Sequence, residues 1–393
     1  MAPLPPKPVR RLVLAPAVCA LAVAALILSP FIILFAAFAV RWLPGRWRGL
    51  RLLWFLLVYL VRETVGLFAL AVLWVLSGFG WKLRSDRFVR AHVLLAGWFV
   101  GGLIGSARRV LGLRVVPEEV PDGMPVDEPF RRGPSDWNDG DRNDGDRNDV
   151  DRNGADHNDA VGAMRPVLVF SRHAGAGDSF ILADQVLNTY GRRPRIVLKD
   201  QLQWDPCVDV ALGRIPSRFI SPNPPPGSGV VDSIADLAAG LPHDGALILF
   251  PEGGNFTRRR RTRAINRLRE AGLDDLVGRA EHLVHVLPPR PGGAFAAIDA
   301  APGADVVFVA HTGLEQLSSL RQLWSGLPMR AGVRMTWWTV RAEDIPEAYE
   351  ERITWLYAWW AHIDDWIAAH FPEGTPVGPV PSEPARATAD RSG

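Results

Sequence analysis

The sequence predicts an α/β fold: a largely parallel sheet flanked by helices, preceded by N-terminal membrane helices. Three observations predict it. Long apolar runs fill roughly the first quarter of the 393 residues, and short β-rich runs alternate with helical patterns from Pro166 onward. Between these regions lies a stretch built almost entirely of Asp, Asn, Gly and Arg. The division that follows is 1–116 for the anchoring helices, 117–165 for a disordered low-complexity insert, 166–373 for one domain of ordinary size, and 374–393 for a disordered tail.

No charged residue occurs in 12–40. As a helix rising about 1.5 Å per residue, that run outreaches a hydrocarbon layer of roughly 30 Å. A signal peptide is the rival reading, since Lys7, Arg10 and Arg11 precede the run and Ala37, Phe38 and Ala39 resemble a cleavage site. The run exceeds the usual apolar core of such peptides. A second apolar run also follows at 52–81, broken only by Arg62 and Glu63, two charges that pair or sit at an interface, so an uncleaved anchor is expected. A third run, 91–111, carries Gly97, Gly101, Gly102 and Gly105 and ends at Arg108 and Arg109. It lies on the membrane, docks against the domain, or is an ordinary core helix. Basic residues flank every span, so charge alone does not orient the chain.

The insert repeats NDGDR, NDGDR, NDVDR, NGADH from Asn138 and has too little apolar surface to offset the entropy of ordering. Its arginines cancel the acidic charge and no Glu closes a ligand loop, which argues against calcium. Within the domain, strands are expected at 167–171, 195–199, 246–250, 305–310 and 334–340. Helices are expected to begin at Asp178, near Val230, at Thr262 and at Pro346, the last carrying Trp355, Trp359, Trp360 and Trp366 as core or interface residues. The net charge of +2 gives no reason to expect a nucleic-acid partner. Two distant cysteines form neither a disulfide framework nor a zinc site, and the scattered His282, His285 and His311 suggest no metal.

The chemistry concentrates in VLVFSRHAGAGDSF, where an apolar strand ends at Ser171, His173 lies in the turn, and Asp178 opens a helix. Neutral imidazole suits removal of a proton from an attacking hydroxyl, and a carboxylate five residues on can fix the ring's tautomer. The plain alternative makes Asp178 a helix cap and His173 a surface turn residue. A second turn follows in ALILFPEGGNFTRRRRTR, with Glu252, Gly253 and Gly254 ahead of an arginine block. In open α/β sheets ligands gather at the carboxyl ends of strands, so both turns are expected to share one crevice. Glycines there admit close backbone approach, and Arg258 is the candidate phosphate ligand, with the other arginines on the surface. Ser171 lacks the GxSxG setting of a serine hydrolase.

The paired HxxxxD and FPEG elements resemble the glycerolphosphate and lysophospholipid acyltransferase family over about 167–346. The resemblance implies His173 as general base, Asp178 as its partner, and Glu252, Gly253 and Gly254 in the acceptor site. RIVLKDQLQWDPCVDVALGRIPSRFISPN resembles the family's second block less closely, since Ser221 and Pro222 follow where that block runs on to a phosphate-binding arginine. Lys199 after its strand and Phe219 with Ile220 carry that resemblance and make Lys199 a candidate substrate ligand, and Arg218 or Arg214 is the candidate substitute for the arginine. HVLPPRPGG and FPEGGNFT lean toward the lysocardiolipin-acyltransferase-like branch.

The resemblance thus implies transfer of a fatty acyl group from acyl-CoA or acyl carrier protein to a lysophospholipid hydroxyl at a bilayer, with no cofactor. The oxyanion would be held by backbone N–H groups near Gly175 or Gly253. Because such donors are made in the cytoplasm, the domain is expected on the cytoplasmic side of the cell membrane. Two alternatives stand beside this reading: a coenzyme-independent phospholipid transacylase, and a non-catalytic, membrane-tethered lipid-binding protein.

Overall fold

Every residue of β2 (Val167–Ser171) is buried, and its alternating side chains feed two cores. Val167 and Val169 enter one core, Leu168 and Phe170 the other. In this computed structural model the described residues are 4–39, 47–117, 164–175, 177–220, 229–315, 324, 326–329 and 332–370. Nearly all of the low-complexity insert and the whole expected tail lie outside them.

β2 is the central strand of a seven-stranded sheet in the order β1-β7-β6-β2-β5-β3-β4. The others are β1 (Val115–Pro117), β3 (Arg193–Lys199), β4 (Ser217–Ile220), β5 (Gly245–Leu249), β6 (Asp305–Thr312) and β7 (Val333–Val340). From β6 to β4 all neighbours are parallel, whereas β7 is antiparallel to β6 and parallel to β1. Continuous burial of β2, β5 and β6 is what a sheet covered on both faces demands.

The helices are α1 (Lys7–Val9), α2 (Ala15–Ala39), α3 (Arg48–Leu76), α4 (Asp86–Ser106), α5 (Asp178–Asp184), α6 (Pro206–Leu212), α7 (Val230–Ala238), α8 (Arg258–Glu270), α9 (Asp274–His282), α10 (Pro291–Ala300) and α11 (Tyr349–His370). One sheet face packs against α4, α5 and α6, the other against α7, α10 and α11. Trp360 is fully buried in the second core, with Trp355, Trp359 and Trp366 packed around it, so the tryptophans are core residues.

Three apolar helical stretches, beginning at Lys7, Arg48 and Asp86, are candidate membrane spans by length and composition. Their buried shares climb from 6% through 22% to 39%, and the third is the most deeply docked on the domain. At that contact Asn188 Nδ2 donates to Gly97 O at 3.0 Å, and a Cβ on Gly97 or Gly101 would lie within 2.8 Å of the Asn188 side chain. Arg62 and Glu63 do not pair with each other. Glu63 turns inward and accepts the Cys207 N–H at 2.8 Å, while Arg62 lies over the Trp98 ring. The chain start is tied to α6 as well, by the buried Arg10–Asp209 ion pair at 2.8 Å.

Several boundaries differ from the sequence reading. α8 begins at Arg258, not Thr262, because the Thr257 hydroxyl accepts the Arg260 N–H at 3.2 Å and arginine is a good helix former. α11 begins at Tyr349, three residues after Pro346. β4, α6, α9 and α10 had no expectation. β4 is only four residues long, and α10 has almost no apolar periodicity because it is Ala- and Gly-rich throughout.

Candidate active site

The sheet order itself assembles the site. Because β2, β5 and β3 are adjacent and parallel, their carboxyl ends bring His173, the 251–254 turn and Lys199 to one edge. The first two turns are stitched together: His173 N donates to Glu252 Oε1 at 2.9 Å, and Phe256 N donates to His173 O at 2.6 Å. The shared crevice expected from the sequence is present.

His173 Nδ1 lies 2.7 Å from Asp178 Oδ2. Gly177, not Asp178, takes the capping position of α5, and its φ of 106° is one that glycine tolerates best. Asp178 is therefore free to turn its carboxylate back into the loop. Oδ2 also accepts the N–H groups of Ala174 and Gly175 at 2.9 and 3.2 Å, and Oδ1 accepts that of Ser179 at 2.6 Å. Burial favours a neutral carboxyl here. The hydrogen bond and charge of His173, with help from His311 and the Gly175 N–H, outweigh it and hold Asp178 below the usual range.

With Nδ1 engaged, Nε2 is the ring nitrogen left to face substrate. Lys199 Nζ stands 3.4 Å from Nε2 and donates to Asn255 Oδ1 at 2.8 Å. Burial, then the nearby charge of Arg260, lowers the Lys199 ammonium from its ordinary value despite an opposing pull from Asp178. The His173 ring is packed on Phe250, with centroids 4.5 Å apart.

A cavity of about 700 Å3 opens on this edge, lined by His173, Asp178, Lys199, Gly253, Gly254 and Arg290 among others. A wider cleft shares Lys199, Gly253, Gly254 and Arg290 with it and continues between α8 and α9 past Arg263 and Arg267. On the other side a narrow, apolar pocket shares Ser179, Phe180, Leu198, Leu202 and Phe250 with the main cavity and runs toward Phe99 and Cys207. Farther out Glu270, Asp274, Asp275 and Glu350 also line the cleft, but where it meets the main cavity Lys199, Arg260 and Arg290 gather, so the site joins a basic end to an apolar end with His173 between them.

Of the residues singled out in the sequence, His173, Asp178, Lys199, Gly253 and Gly254 line the main cavity. Glu252 is buried beneath it with both oxygens on backbone N–H groups, those of His173 and Leu287, which makes it a brace for the turns. Arg258 is exposed at the start of α8 and lines neither cavity, and Arg218 faces Asp236 at 3.9 Å outside both. Arg214 points away, donating to Leu70 O. Of the N–H groups around the expected oxyanion position, that of Gly175 is taken by Asp178 and that of Gly253 by Phe250 O at 2.9 Å, so any donor there is a neighbour of these two.

Sequence reasoning missed Arg290, Asn255 and Arg260. Arg290 lies against Gly253, where a Cβ would come within 2.9 Å of its Cζ, and partial burial, then Arg267 and Arg260, lowers its guanidinium from the ordinary value. Its place in HVLPPRPGG, directly after two prolines, was the available signal.

Residues 155–312 match the protein-family model described as Acyltransferase, a span that holds β2 through β6 and every residue named above as lining the main cavity. The match supports an acyltransferase. No curated protein matches the chain in sequence. Among solved structures, the 1-acyl-sn-glycerophosphate (LPA) acyltransferase PlsC from Thermotoga maritima is similar at 12% identity and a TM-score of 0.39, covering 78% of this chain and 98% of that one.

Proposed function

We propose that the protein transfers a fatty acyl group from acyl-CoA or acyl carrier protein to the hydroxyl of a phosphate-bearing lysophospholipid, in phospholipid synthesis or remodelling. The observation that carries this reading is the His173–Asp178 pair, 2.7 Å apart, at the junction of an apolar pocket and a basic cleft.

In this mechanism Asp178 accepts the Nδ1–H of His173, so Nε2 is unprotonated and takes the proton of the acceptor hydroxyl. The alkoxide oxygen attacks the thioester carbonyl, the C–S bond breaks, and the thiolate leaves with the proton returned from His173. No covalent enzyme intermediate is required. Lys199 and Arg290 hold the acceptor phosphate at the basic end, and the apolar pocket beside Phe250 takes acyl chain. The acceptor in this reading is lysophosphatidic-acid-like, as for a 1-acylglycerol-3-phosphate acyltransferase, and the motifs FPEGGNFT and HVLPPRPGG, in which Thr257 caps α8 and Arg290 enters the cavity, favour the lysocardiolipin-acyltransferase-like branch of the family. The expected setting is the cytoplasmic face of the cell membrane, with the apolar N-terminal helices in the bilayer.

The test is transfer of labelled acyl-CoA, acyl carrier protein thioester or phospholipid acyl groups to a panel of lysophospholipids by the detergent-solubilised protein and its His173→Ala variant. Transfer lost in a folded variant supports the reading. Transfer retained by it overturns the assignment of the base.

A further inference from the structure

A cleft of about 400 Å3 lies between α2, α3 and α4 and shares no lining residue with the His173 cavity or its two extensions. Its walls are apolar, formed by side chains such as Leu26, Leu57 and Val61, and its charged lining residues are Arg62 and Arg109. No carboxylate lines it among the described residues.

Gly102 makes room for Arg62, and Gly105, one helical turn on, lies beside Arg109. Arg62 lies across Gly102, where a Cβ would sit 1.4 Å from Nη2, so only glycine leaves space for the guanidinium. Arg109 Nη2 lies 4.0 Å from the place a Gly105 Cβ would occupy. Arg62 Nη2 donates to Trp98 O at 3.0 Å, and its Cζ is 4.2 Å from the Trp98 ring centroid, but its buried Nε has no partner. No described carboxylate forms an ion pair with either arginine, and Glu63, the nearest acid in sequence, is turned to Cys207.

Arg109 is exposed and Arg62 half-buried in the protein alone, so it is with these helices in a bilayer that two guanidinium groups without a counter-charge carry a desolvation cost, which an anion between them removes. Arginine forks fit phosphate oxygens in pairs, and the wall leucines and valine suit hydrocarbon chains. A free inorganic anion would leave those walls wet. The helices that form the cleft are also the candidate membrane spans, so it opens where lipid is present.

We propose that this cleft is a binding site for an anionic diacyl phospholipid, with its phosphate between Arg62 and Arg109 and its chains along α2 and α3. The site is distinct from the acyl-transfer centre and fixes the packing of the N-terminal helices by filling the space between them.

The experiment is lipid titration of the delipidated, detergent-solubilised full chain by native mass spectrometry, with phosphatidylglycerol and phosphatidylcholine of identical chains. The parent is expected to hold phosphatidylglycerol preferentially. The double variant Arg62→Gln, Arg109→Gln is expected to weaken phosphatidylglycerol binding roughly tenfold or more while leaving phosphatidylcholine unchanged. Gly105→Leu, which keeps both charges and fills the cleft, is expected to weaken it too, whereas Arg90→Gln, an exposed arginine elsewhere on α4, is not. Because Arg62 touches Trp98, Arg109→Gln alone serves if the double variant fails to fold. Equal binding of the two lipids by the parent, unchanged binding in the arginine variants, or occupancy by lysophosphatidic acid in place of the diacyl lipid each overturns the proposal.

Discussion

The Glu252 carboxylate bridges two backbones, accepting the His173 N–H through Oε1 at 2.9 Å and the Leu287 N–H through Oε2 at 3.0 Å. It therefore fixes where the His173 turn sits relative to the segment that ends at Arg290. Burial is the largest influence on its pKa and raises it to about 8 from an ordinary 4.5, against Arg172 and the two N–H groups and with some help from Asp178. The folded protein thus keeps a proton on Glu252 where the unfolded chain has lost it. The stability this contributes is complete below about 4.5 and is lost as pH rises through about 8, at up to about 1.4 kcal/mol per pH unit. The unfolding midpoint in detergent is expected to fall between pH 5 and pH 9 in the parent and to fall less in Glu252→Gln. The variant is also expected to be less stable at pH 5, since its amide NH2 opposes one of the two N–H groups. Parallel pH curves for the two proteins would rule Glu252 out as the titrating group.

His173 and Asp178 are expected to separate activity from stability. His173→Ala removes the base and a partly apolar ring contact with Phe250, so acyl transfer drops roughly 100-fold to 10,000-fold with a modest change in unfolding midpoint. Asp178→Asn breaks more, because the carboxylate accepts from the imidazole and from three backbone N–H groups at once. Its pKa is lowered in the folded protein, so the stability it contributes is present above its ordinary value of 3.8 and lost as pH falls below that value. At pH 7 the Asn variant is expected to lose both activity and thermal midpoint. An Asn variant with parental activity would show that Asp178 does not set the His173 tautomer.

The sequence made the His173–Asp178 loop legible because local rules dominate there: a buried strand, two glycines and an acid at a helix start leave few arrangements for His173. The arginine ligands were not legible in the same way. Whether Arg258, Arg260 or Arg290 enters the cavity depends on the phase of α8 and on how the 288–290 segment crosses the sheet edge, both tertiary outcomes. The same holds for α4, whose composition fits a membrane or a core equally well. Only the fit of Gly97 and Gly101 around Asn188 shows which face is docked.

The apolar pocket makes a prediction about chain length. Ala183 is buried on its wall, one turn along α5 from Phe180. Ala183→Leu fills the pocket without adding charge, so transfer of the longest acyl groups is expected to fall, each excluded methylene counting for about tenfold, while the shortest are still transferred. Competition between donors of graded length gives the profile. A uniform loss across all lengths would place the acyl chain elsewhere.

Arg290 and Gly253 test the basic end of the site together. Gly253 adopts a φ of 68°, and a Cβ there would come within 2.9 Å of the Arg290 Cζ and Nη1. Gly253→Ala therefore both strains the turn and pushes the guanidinium from the cavity, whereas Arg290→Gln removes only the charge. If Arg290 binds the acceptor phosphate before and during transfer, its loss is uniform binding loss, and KM for the acceptor rises about tenfold or more with kcat little changed. Gly253→Ala is expected to raise KM in the same way and to lower kcat as well, because its turn is stitched to His173 through Glu252 and Phe256. A fall in kcat alone for Arg290→Gln would instead place this guanidinium on charge that develops only in the transition state.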